Sequence, residues 1–164
     1  MKFDSEETHP YDYKQTNFPR RGARESRPTD RDRRLCLCAF VGTQDAEGQP
    51  LNGSNDYVLE FPAADRPDAV VKGYWSVILV DLPNYRVVPN PLNRFNFNSD
   101  SGLKSDTDGS LTILIASKPN AAVPESNWLP APDGRVFSLT LRAYVPKDLV
   151  KRGEWFPPAL KRLK

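Results

Sequence analysis

Five side chains in this sequence have the chemistry to hold a small ligand: Asn90, Asn93, Arg94, Asn127 and Trp128. The first three fall in Pro89-Asn90-Pro91-Leu92-Asn93-Arg94. Proline fixes φ and pushes the preceding residue out of the helical region, so these amides and the guanidinium ride on a stiff frame. A planar guanidinium suits a carboxylate or a phosphate. Trp128, in Ser126-Asn127-Trp128-Leu129-Pro130, is either a plug on the core or a platform for a sugar or aromatic ring. The same groups have a second use, which is to satisfy backbone atoms of a long loop.

Catalytic machinery is harder to assemble. The sequence has no Gly-x-Ser-x-Gly elbow, and its one histidine, His9, lies far from the apolar segments. Asp81, Asp100, Asp106 and Asp108 stand where turns need aspartate, without the spacing of a calcium loop. Cys36 and Cys38 are two residues apart, so on a strand both face one side, which suits core packing better than a disulfide. No metal site and no cofactor is expected. Two cysteines used in this way point to a reducing, cytoplasmic setting.

The elements that must position these residues are strands. Residues 35–43, 56–61, 74–81, 110–116 and 136–145 are apolar or alternate with period two. The first two read as a β-hairpin with a long loop, because Asp45 to Gly48 and Asn52-Gly53 both signal turns. The segment 74–81 is apolar on both faces, so it belongs mid-sheet or under cover on both sides. Pro83-Asn84 then turns the chain, and 85–88 is expected to pair back as a short strand. Residues 146–151 suit a short helix ended by Gly153, and Trp155-Phe156 crosses back as an apolar strap. With no long helical period, sixteen prolines and nine glycines, the class is all-β: an antiparallel β-sandwich, jelly-roll-like, with long Pro-rich loops and a short C-terminal helix.

The 164 residues suit one domain plus an extension. Residues 1–34 read as a disordered, Arg-rich tail, with seven arginines between 20 and 34 interspersed with acids. Residues 35–164 form the domain. A net charge of +2 gives no reason to expect nucleic acid. No apolar run is long enough for a membrane span, and the first fifteen residues lack a signal-peptide core.

Several separate motifs then fall in a familiar order: Trp75-Ser76, the 89–94 segment, Asp108-Gly109-Ser110-Leu111-Thr112, Asn127 to Pro132, Arg142-Ala143-Tyr144 and Gly153 to Pro158. Over roughly residues 35–162 the chain resembles the DUF1214 family. That family is usually the C-terminal domain of proteins that carry a DUF1254 domain in front. The resemblance implies a jelly-roll-like sandwich and no particular reaction. It also implies a partner: a DUF1254-like domain, or self-association through an apolar patch such as an exposed sheet face or the Trp155-Phe156 strap. An arginine-rich segment stands here where the upstream domain would be expected.

Three functions follow as expectations. The first is a non-catalytic binding or assembly module. The second is a hydrolase-like or carbohydrate-acting enzyme with a site near Arg94 and Trp128. The third is an anionic-partner binder that uses the arginine-rich tail.

Overall fold

A computed structural model describes residues 12–14, 37–121 and 123–163. Its strands are β1 (Asp12–Lys14), β2 (Leu37–Gly42), β3 (Tyr57–Phe61), β4 (Trp75–Asp81), β5 (Asn96–Asn98), β6 (Leu111–Ala116), β7 (Trp128–Pro130), β8 (Phe137–Tyr144) and β9 (Lys161–Arg162). Among the described residues they build a five-stranded sheet, β1-β2-β8-β4-β5, and a four-stranded sheet, β7-β6-β3-β9. The helices α1 (Pro67–Val70) and α2 (Asp148–Lys151) are single turns. The architecture is an all-β sandwich. Its sheets are mixed, since β1 runs parallel to β2 and β6 parallel to β7. The remaining residues of the expected 1–34 tail, with its arginines, lie outside the described residues.

Alternation fixes which faces meet. In β8, Phe137, Leu139, Leu141 and Ala143 point inward and are buried. They join Val77 and Leu79 of β4, and across the sandwich they join Tyr57, Leu59 and Phe61 of β3 and Ile113 and Ile115 of β6, in one core. Burying each of the Val, Leu, Ile and Phe side chains stabilises the fold by about 1.5–3 kcal/mol. The Tyr57 and Phe137 rings cross the gap edge to face, 5.9 Å apart.

Two expectations change. Residues 35–43 and 56–61 form no hairpin, because β2 pairs with β8 and β3 with β6, in opposite sheets. Gly53 serves a different end. Its N–H donates to the Arg135 carbonyl at 2.9 Å, and its α-carbon lies so close to the Pro132 carbonyl that a side chain has no room. Residues 85–88 form no strand either. Tyr85 takes a left-handed φ of 54°, and the Asp81 carboxylate captures the Arg86 N–H at 3.0 Å, so the chain curls before it can pair. The strand beside β4 is instead β5.

The strap is part of the core. Trp155 is buried, packs edge to face on Phe40 at 5.7 Å and donates its indole N–H to the Asp65 carbonyl at 3.1 Å. It is not a free surface for association. Cys38 is buried in the same core, as expected, while Cys36 lies outside the described residues.

Candidate functional site

The structure brings the 89–94 segment against residues 125–128. Arg94 makes the junction: one guanidinium nitrogen donates to the Glu125 carbonyl at 2.7 Å and to the Trp128 carbonyl at 2.8 Å. Its guanidinium carbon sits 5.6 Å from the centre of the Phe97 ring, within cation–π range.

Asn90 organises the loop from within. Its amide nitrogen donates to the Val88 and Arg94 carbonyls, at 3.2 and 2.8 Å. Its amide oxygen accepts from the Leu92 and Arg94 N–H groups, at 3.2 and 3.1 Å. Asn93 is exposed and left-handed, with φ of 49°, which asparagine tolerates.

Asn127 is the most enclosed of the five, 1% exposed. Its amide nitrogen donates to the Lys104 and Thr112 carbonyls, at 2.7 and 2.9 Å. Its amide oxygen accepts from the Lys104 N–H at 2.9 Å and the Ser126 hydroxyl at 3.0 Å. Trp128 begins β7 and donates its indole N–H to the Ala116 carbonyl at 2.9 Å. Its ring packs on Val58, Leu114 and Ala116, on the outer face of the four-stranded sheet. The hydrogen-bonding atoms of Asn90 and Asn127 thus face the protein's own backbone, and Arg94 shares its guanidinium with two carbonyls.

What this framework presents to solvent is the loop of residues 82–94. Tyr85 is 73% exposed, Val87 48% and Leu92 41%. Asp81 holds the start of the loop. It accepts from the Arg86 N–H and from the Asn84 amide at 3.4 Å, and it pairs with Arg135 at 3.5 Å. The Arg86 N–H, then Asn84 and the two arginine charges, hold the Asp81 carboxyl below the ordinary carboxylate range. Leu92, Asn93, Arg94 and Phe97 line a shallow depression of about 400 Å³ that runs into β5. Sequence reasoning found the rigid loop and missed Tyr85, Val87 and Leu92 as its exposed payload. The available signal was apolar side chains set among prolines that exclude regular pairing.

Comparison with known proteins decides the family. Residues 38–148 match the family model described as "Protein of unknown function (DUF1214)". The chain belongs to the DUF1214 family. This DUF1214 chain is similar to the VPA0106 protein of Vibrio parahaemolyticus, at 30% identity and a TM-score of 0.66, over 78% of this chain and 31% of that one. It thus spans about a third of that relative's length. A crystal structure of an uncharacterised protein from Burkholderia cenocepacia overlaps it with a TM-score of 0.49 and 13% identity, over 79% of this chain and 30% of that one. No curated protein matches. Among the described residues of the DUF1214 chain, no group of three or more His, Cys, Asp and Glu is placed to hold a metal. Nor is any helix among them long and apolar enough to cross a membrane.

Proposed function

We propose that this DUF1214 chain is a non-catalytic assembly module that pairs with a second copy of itself along the β5 edge. One observation carries the reading. A short edge strand, β5, is continuous with a braced loop that exposes Tyr85, Val87 and Leu92. An edge strand presents unpaired backbone groups, and two edges meeting antiparallel about a two-fold axis are self-complementary; at β5 the Asn98 N–H and carbonyl are held by the Ser101 hydroxyl and N–H, at 2.9 and 3.0 Å, so the exposed side chains of the loop carry most of the contact. Tyrosine and arginine, here Tyr85 and Arg86, are the residue types that most often dominate protein interfaces.

In this reading Asn93 and Arg94 belong to the contact surface, and Asn90, Asn127 and Trp128 hold it in place. A three-residue edge with a few apolar side chains makes a small interface, so the affinity expected is on the order of 10 μM.

Sedimentation velocity on the full chain, from about 1 to 200 μM, brackets such an affinity. The sedimenting mass should rise with concentration from 18.5 kDa toward twice that value, and Leu92→Asp should hold it at the monomer. A wild-type chain that stays monomeric throughout contradicts self-pairing, and a DUF1254-like domain then becomes the partner to test.

A further inference from the structure

Another concave surface lies at the four-stranded sheet, where β9 pairs with the start of β3. It is a cleft of about 620 Å³ lined by Glu47, Ser54, Asn55, Asp56, Asn120 and Arg162, with Leu163 as its apolar wall. That volume is in the range of small-molecule sites.

Its walls come from four segments, each fastened from behind. Asp45 accepts the N–H groups of Glu47 and Gln49, both at 2.9 Å, which fixes the turn that carries Glu47. The Ala46 N–H donates to the Leu160 carbonyl at 2.8 Å and ties that turn to the C-terminal strand. The buried Tyr57 hydroxyl accepts from the Asn52 N–H at 3.1 Å and from the Asn55 amide at 3.3 Å. Asn120 donates to the Asp56 carboxylate at 3.1 Å, and the Leu163 N–H donates to the Asp56 carbonyl at 2.8 Å.

Three of the side chains that line the cleft are left available. Among the described residues, the Glu47 carboxylate, the Ser54 hydroxyl and the Arg162 guanidinium make no hydrogen bond or ion pair within the fold. Five of the lining residues carry flat, two-atom polar groups; the Asn55 and Asn120 amides and the Asp56 carboxylate are already bonded within the fold, which leaves the Glu47 carboxylate and the Arg162 guanidinium, with the Ser54 hydroxyl beside them, to meet a ligand first. Such groups match pairs of neighbouring hydroxyls, which donate to carboxylates and accept from amide and guanidinium N–H groups. Two carboxylates against one guanidinium repel a phosphate. Hydroxyls bring no net charge and answer both kinds of group.

We propose that this cleft is a binding site for a small, neutral, polyhydroxylated ligand of the monosaccharide class. It is separate from the β5 edge and does not depend on the assembly reading. A ligand of this size, held in an open polar cleft, binds with a dissociation constant on the order of 1 mM.

The test is an amide NMR titration of the full chain with a panel of neutral monosaccharides, and with glycine and inorganic phosphate as charged controls. One or more sugars should give saturable shifts at residues 47, 54–56, 120 and 162. Arg162→Ala and Glu47→Gln, both exposed positions that leave the core intact, should each weaken binding about tenfold or more. Leu92→Asp, which is outside the cleft lining, should leave it unchanged. Absence of saturable shifts with any sugar to about 50 mM, or shifts with glycine or phosphate alone, overturns the proposal.

Discussion

Asn127→Ala separates a backbone staple from a ligand-binding amide. The substitution removes four hydrogen bonds and strands three backbone groups: the Lys104 N–H and the Lys104 and Thr112 carbonyls. The site is 1% exposed, so water cannot replace the lost partner without rearrangement. At about 1 kcal/mol for each stranded group, the low end of the usual range, the loss is about 3 kcal/mol. For a chain of this size that is a fall in Tm of roughly 6–12 °C. Urea denaturation followed by tryptophan fluorescence gives the free energy, and an unchanged m-value shows that the unfolded state is comparable. Asn127→Asp is the companion. It keeps the acceptor and turns a carboxylate toward two carbonyls, so its loss should be at least as large. A loss below about 1 kcal/mol in both variants would refute the argument that this amide holds the fold together.

Other perturbations have similarly defined outcomes. Arg94→Met keeps the stem and removes two charge-assisted bonds and the contact with Phe97; the expected loss is about 2–3 kcal/mol, with faster amide exchange at residues 125–128, and a change under about 0.5 kcal/mol would contradict it. Gly53→Ala drives a methyl group into the Pro132 carbonyl and should cost about 3 kcal/mol or more, measured by thermal melting; a wild-type Tm would disprove the close approach. The folded pKa of Asp81 is depressed, so its contribution is complete above the unfolded value of about 3.9 and is lost as pH falls through the folded one. The stability gap between wild type and Asp81→Asn should therefore be flat above about pH 5 and narrow below it, and a gap independent of pH would refute this.

The long strands were legible because each has to bury one face. Residues 137–144 and 111–116 alternate, or stay apolar, over enough positions to leave one reading. The short strands were not. β5, β7 and β9 have three, three and two residues, and their pairing is imposed by neighbours. The Asn52-Gly53 turn signal was real but misassigned, because glycine is needed equally for a tight turn and for a close approach of two backbones. At the site, the rigidity of the 89–94 loop could be read from its prolines. The targets of Asn90, Arg94 and Asn127 could not, since a carbonyl of the protein and an oxygen of a ligand ask for the same donors.

Tyr85 gives the most direct test of the assembly account. Its left-handed backbone costs a tyrosine about 1 kcal/mol, and the residue is 73% exposed, so little packing is lost when it is replaced. Asparagine suits that conformation. The measurement is the dimer dissociation constant of Tyr85→Asn by sedimentation, alongside its urea stability as a monomer. The account predicts that the monomer gains about 0.5–1 kcal/mol while dimerisation weakens at least about tenfold, because the ring serves the partner and not the fold. Equal dimerisation by wild type and variant, or a variant that is less stable as a monomer, would contradict it.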